Sequence, residues 1–138
     1  MSALRWCASI LVVTSVVVAC DDSPASPTPG QITGTWTLLS IQPAGQPVQP
    51  TPSGASYSLT LAGDRLSTRA DCNTCSGAFV LFGPTLTAGP ALACTRAACR
   101  TIVFENAYTT LLAGDSTVAL ANGALVLSSA RGVLRFTR

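Results

Sequence analysis

The sequence predicts an α+β domain of about eight short, mostly antiparallel strands forming a curved sheet or partial barrel packed on one helix. Three observations carry this. Between Thr33 and Arg138 the apolar residues recur mainly at every second position, turn residues interrupt them at short intervals, and the period lengthens to the helical one only once. Residues 33–138 therefore make one domain, long enough to bury a core of its own.

The chain ahead of it is built differently. Residues 1–19 read as a signal peptide: Arg5 gives a weakly basic start, and the apolar run Ile10 to Val18 is too short to span a bilayer. It closes on Val17-Val18-Ala19-Cys20, which resembles the lipobox of bacterial lipoproteins and implies that Cys20 becomes the acylated, palmitate-bearing first residue. The plain alternative is an ordinary signal peptide beside an incidental cysteine. A tether over 20–32, rich in Pro and Ser through Asp21 to Gly30, follows at once and favours the lipobox.

Within the domain each element has its own signal. Thr35 to Gln42 alternates Trp36, Leu38 and Ser40 against Thr37, Leu39 and Ile41, with Gly34 before it, and reads as a strand. Pro43 to Gly54 holds too many prolines for a continuous ladder and is expected to loop over the surface. Tyr57, Leu59 and Leu61 lead through Gly63-Asp64 into Leu66, Thr68, Ala70 and Cys72, a hairpin with one wet face. Ala78 to Phe82 is apolar at every position, which predicts a central strand covered on both sides, and Thr85 to Ala88 is a weaker strand.

The helical period belongs to Phe104, Ala107, Tyr108, Leu111 and Leu112. With Thr95 as N-cap and Gly114 just past the end, the helix is placed at about Arg96 to Ala113. Val118 and Leu120, Asn122-Gly123, then Leu125 and Leu127 form a hairpin, because Asn-Gly suits the two left-handed positions of a type I′ turn. Arg131-Gly132 turns into the last strand, Val133 to Thr137.

Composition excludes more than it assigns. Without Arg5, seven arginines face six acids, so there is no basic footprint for nucleic acid. The chain has neither histidine nor lysine, which removes the commonest general base, the usual metal ligand and the Schiff-base nucleophile together. The serines lack the histidine a catalytic triad needs. Asp64 and Asp115 fall in turns, Asp71 flanks a cysteine, and Glu105, the only glutamate, reads as a charge on the helix surface. No catalytic residue and no cofactor is expected.

Cysteine usage supports export. Cys7 leaves with the signal peptide and Cys20 is acylated, so an even four remain: Cys72, Cys75, Cys94 and Cys99. Two structural disulfides are the expected use. Zinc held by the same four thiolates is the alternative, and a redox Cys-x-x-Cys is a lesser one, because Cys75 runs into Ser-Gly and a strand rather than into a helix.

A set of short motifs then falls in one order: Gly34-Thr35-Trp36-Thr37-Leu38, Cys72-Asn73 before Ser76-Gly77, Ala93-Cys94, Glu105 with Tyr108 and Leu111, Asn122 to Leu127, and Leu134-Arg135-Phe136. Together they resemble the META domain of HslJ-like bacterial lipoproteins over nearly the whole mature chain. The resemblance implies an antiparallel sheet curved around one helix, an envelope location, and an association with heat stress, antibiotic tolerance or virulence, with no catalytic mechanism. It favours Cys72 with Cys94, leaving Cys75 with Cys99. An antiparallel approach of the two segments would instead join Cys72 to Cys99 and Cys75 to Cys94.

The function expected is that of a lipid-anchored envelope module for binding or stress maintenance, its domain facing periplasm or exterior. Its partners are the membrane, through Cys20, and an envelope protein, lipid or peptide. A pocket between helix and sheet lined by Phe79, Phe82, Phe104 or Tyr108 would serve such a ligand. A space filled tightly there would favour a structural, stress-protective lipoprotein without a ligand.

Overall fold

A computed structural model describes residues 25–138. The lipobox with Cys20, the signal peptide and the tether up to residue 24 lie outside the described residues. The strands are β1 (Gly34–Pro43), β2 (Gln49–Pro50), β3 (Tyr57–Ala62), β4 (Arg65–Ala70), β5 (Asn73–Phe82), β6 (Thr85–Ala88), β7 (Ala93–Cys94), β8 (Gly114–Ala121), β9 (Ala124–Ser129) and β10 (Gly132–Thr137). Two helices accompany them, α1 (Pro29–Ile32) and α2 (Ile102–Leu112).

The sheet closes on itself. Neighbours run β10-β9-β8-β6-β5-β4-β3-β1, and β10 also pairs with β1, from Thr37 opposite Thr137 to Pro43 opposite Gly132. The result is a closed eight-stranded antiparallel barrel rather than a partial one, with β2 and β7 attached outside that circuit. Closure removes the two long edges that an open sheet would expose.

Alternation decides what the barrel encloses. Leu59 and Leu61, Leu66 and Ala70, Leu86 and Ala88, Leu125 and Leu127, and Leu134 and Phe136 are all buried at every second position of their strands. In β1 the period breaks. Register slips between Leu38 and Ser40, leaving Leu39 as a bulged residue, so that Ser40 and Ile41 are both buried although the plain alternation set them on opposite faces.

Other expectations change for similar local reasons. In β5, Phe79 is buried, but Val80 and Phe82 are 64% and 86% exposed, so the run from Ala78 to Phe82 is covered on one face only. An apolar run cannot by itself separate a doubly covered strand from a one-sided one. The Asn122-Gly123 turn does form, with both residues left-handed at φ 52° and 76° and Ala121 opposite Ala124.

Helix α2 is shorter than expected at its start. Its N-cap is Thr101, and Glu105 N–H gives the first helical bond to the Thr101 carbonyl at 2.8 Å. Thr95 is occupied elsewhere: its amide donates to the Thr74 carbonyl at 2.9 Å and its hydroxyl to Asn73 Oδ1 at 3.0 Å. Residues 95–101 are therefore held to β5, and the helix begins only once Cys99 is passed.

The inner side of α2 packs against the barrel through Phe104, Tyr108, Leu111 and Leu112, all buried. Tyr57 meets Phe104 edge-on at 5.1 Å and Tyr108 at 5.4 Å, and Tyr108 meets Phe136 at 6.4 Å, within the range where aromatic rings attract edge to face. The two ends of the barrel domain are tied together as well. Arg138 stacks on Trp36 at 4.5 Å and donates to the Gln31 carbonyl, while Trp36 Nε1 donates to the Ile32 carbonyl at 2.8 Å.

Candidate functional site: a groove beside the disulfide-tied flank

The antiparallel register fixes the cysteines. Strand β7 pairs with β5 so that Cys94 stands opposite Cys75, with Cα atoms 4.0 Å apart, and these two are bonded. Following both segments away from that point brings Cys99 to Cys72, at a Cα separation of 5.7 Å, as the second disulfide. The pairing favoured by the family resemblance, Cys72 with Cys94 and Cys75 with Cys99, is thus replaced by the antiparallel one. Both disulfides use all four thiols, which leaves no thiolate for zinc, and the two cysteines of the Cys-x-x-Cys belong to different bonds.

Between the disulfides lies Asn73, only 1% exposed, at the inward-facing start of β5. Its Oδ1 accepts from the Ala97 amide at 2.7 Å and from the Thr95 hydroxyl. Its Nδ2 faces the Ala97 carbonyl at 3.0 Å and both carboxylate oxygens of Glu105 at 2.9 and 3.0 Å. One side chain thereby joins β5, the flank and α2.

Glu105 is 6% exposed, which corrects its reading as a helix-surface charge. It lies three residues before Tyr108 and seven before Leu112, on their side of the helix, so the helical period itself places it inward. Among the described residues it is the only buried acidic side chain, and Asn73 is the only side chain that hydrogen-bonds its carboxylate.

Next to this pair the surface opens into a groove of about 660 Å³ between α2 and residues 90–98. Asn73 and Glu105 line it, with Pro90, Leu92, Ala98 and Ile102 among its walls and the exposed Arg96 also on its lining. Gly77 helps to shape it: a Cβ there would come within 2.9 Å of Leu92 Cδ2 and push that side chain from its place on the groove wall.

A second polar network fixes the start of α2. Asp71, left-handed at φ 57°, accepts from the Thr101 hydroxyl at 2.7 Å. That direction leaves Tyr57 to donate its phenolic proton to Thr101 Oγ1, 2.8 Å away. Burial pushes the Tyr57 phenol up, partly offset by the Thr101 hydrogen bond and reinforced by the negative charges of Asp71 and Glu105. Tyr108 is pushed up much further by its complete burial, against a smaller opposing effect of its 2.6 Å hydrogen bond with Thr68.

The four aromatic residues proposed to line a ligand pocket do not converge. Phe79, Phe104 and Tyr108 are buried in the core, Phe82 stands in solvent, and none of them lines the groove. Sequence reasoning passed over Asn73, Leu92 and Ala97. For Asn73 a signal exists: counting back by twos from Phe79 through Gly77 and Cys75 places its amide inward, and a buried amide needs partners.

Fold and flank together define a small closed β-barrel with one helix packed on it and a disulfide-tied segment beside that helix. Residues 30–138 match the family model described as META domain, and the chain belongs to that family. Two solved structures share the fold. One, an NMR structure of a protein from Burkholderia xenovorans, is 24% identical with a TM-score of 0.66, covering 99% of this chain and 98% of its own. The other, also an NMR structure, is 27% identical with a TM-score of 0.63, covering 80% of this chain and 94% of its own. No curated protein sequence matches the chain.

Proposed function

We propose that this protein is a lipid-anchored bacterial envelope module that binds a ligand in the groove beside α2, without catalysis. The groove carries the reading: its volume of about 660 Å³ is in the range of small-ligand sites, and Asn73 and Glu105 lie on a wall that mixes apolar residues such as Leu92 and Ile102 with polar ones such as Asn106 and Thr109. Two disulfides hold that wall, and such bonds persist in oxidising compartments such as the periplasm. The small residue before Cys20 and the Pro/Ser-rich stretch after it fit acylation and a spacer.

A purely structural, stress-protective role without a ligand is the second reading. The burial of Phe104, Tyr108 and Leu112 between α2 and the barrel favours it. Two measurements test the proposal. Detergent-phase partition of wild type and Cys20→Ser should separate the two proteins, and equal partition contradicts the anchor. Envelope extract added to the labelled mature chain should shift groove resonances at Leu92, Ala97 and Glu105, whereas an unchanged spectrum supports the structural role. Esterase, protease and glycosidase panels should stay silent, and turnover abolished by Glu105→Gln in a folded protein would contradict the non-catalytic part.

A further inference from the structure

Glu105 sets a chemical condition on whatever enters the groove. The Asn73 amide nitrogen carries two protons, and the Ala97 carbonyl at 3.0 Å takes one of them. One proton is left for the two carboxylate oxygens at 2.9 and 3.0 Å and the Cys99 sulfur at 3.2 Å. A carboxylate offers about four acceptor positions. Here most of them are not filled by the chain, although the side chain is 6% exposed. A buried carboxylate without a paired cation is costly, and the groove is where compensation can enter.

The compensating group is organic rather than metallic. Among the described residues no cluster of three or more His, Cys, Asp or Glu side chains is placed to hold a metal ion. Hard cations take six or more oxygen ligands, and a lone carboxylate beside an amide nitrogen does not supply them. The same groove is lined by Pro90, Leu92, Ala98 and Ile102, which suit a short hydrocarbon, alongside the polar Asn106 and Thr109.

We propose that the groove takes a small alkylammonium or alkylguanidinium ligand, its charged head on Glu105 and its chain along the flank. This rests on the groove-binding reading above and specifies its ligand class.

The test uses the oxidised, ¹⁵N-labelled mature chain carrying Cys20→Ser. n-Butylamine and n-butylguanidine are titrated at constant ionic strength, with n-butanol and butyrate as neutral and anionic counterparts. Saturable shifts at the Asn73 side-chain amide, Ala97 and Glu105 are expected for both cations, with at least tenfold weaker binding of butanol and butyrate. Glu105→Gln should weaken cation binding at least tenfold while keeping a dispersed spectrum. If that variant fails to fold, Ala98→Trp fills the groove mouth and leaves the carboxylate in place, and it should abolish binding. The proposal is overturned if the cations give no saturable shift, if butanol binds equally well, or if Glu105→Gln binds as wild type does. Equal binding of butanol would leave the groove as a site and remove only its charge preference. Failure of every probe and of envelope extract would remove the site itself.

Discussion

The barrel and the flank beside it are held by different physics. In β3, β4, β9 and β10 nearly every inward residue is a leucine or an aromatic ring, and closure satisfies the backbone through continuous ladders. Residues 89–101 have few apolar groups and little ladder. They are held by two disulfides and by hydrogen bonds that converge on Asn73. The buried polar side chains of the barrel, such as Thr68, are bonded within it, while the buried Glu105 carboxylate of α2 lines the groove that the flank borders. Cross-linking makes such a mixed wall of small residues stable where burial of apolar surface could not.

Removing the cross-links should have the largest effect. The disulfides span sequence separations of 27 and 19 residues, one nested in the other. Chain entropy assigns about 3 kcal/mol to the outer loop and less to the inner one, roughly 3–5 kcal/mol together. At about 4 °C or more per kcal/mol, calorimetry with and without reductant should show a fall in melting temperature of roughly 10–20 °C. A shift of about 2 °C or less would mean that the barrel and α2 already hold the flank.

Asn73→Ala comes next. It strips the Ala97 amide and the Glu105 carboxylate of their partners, which should cost on the order of 3 kcal/mol in denaturant unfolding. Asn73→Asp should be at least as harmful, because it sets a second carboxylate against the first. Equal stability of Asn73→Ala and wild type would show that water replaces the amide and that the flank does not depend on it.

The smallest effect belongs to the barrel. Thr68 donates its hydroxyl proton to the Ser58 carbonyl at 2.7 Å, so Tyr108 donates to Thr68, and Tyr108→Phe should cost about 1 kcal/mol. The same phenol gives a pH signature. Its folded pKa is raised above an unfolded value of about 10, so its contribution is complete below pH 10 and lost as pH rises beyond. Stability should fall there by about 1.4 kcal/mol per pH unit from this group. Tyr108→Phe should flatten that slope in melts between pH 9 and pH 11. The chain has no histidine and no lysine, and the raised Tyr57 phenol adds a loss of the same sign, so Tyr108→Phe should flatten the slope without abolishing it.

Which parts were legible in the sequence follows the same division. The alternation of β3, β4 and β9, the Asn-Gly hairpin and the stripe from Phe104 to Leu112 are local patterns, and each appears where expected. The closure of β1 on β10 is a long-range pairing with no local mark, and the bulge at Leu39 reverses a face without changing composition. In the flank, Thr95 has the side chain of a helix cap but spends it on Asn73, a partner 22 residues away in sequence. Cross-linking geometry decided between two disulfide patterns that spacing alone left equal. Glu105 was the avoidable miss, since the helical period put it on the buried side.

Hydrogen exchange on the Cys75→Ala/Cys94→Ala variant tests most directly whether barrel and flank are separate units. That variant keeps Cys72 bonded to Cys99 but removes the covalent tie of β7 to β5, leaving only their backbone pairing. The Thr95 amide, bonded to the Thr74 carbonyl, and the Ala97 amide, bonded to Asn73, should exchange at least tenfold faster than in wild type. Amides in β9 and β10 should keep protection set by global unfolding alone. If barrel and flank amides lose protection by one common factor, the flank is part of the barrel's own cooperative unit and the division drawn between them is wrong.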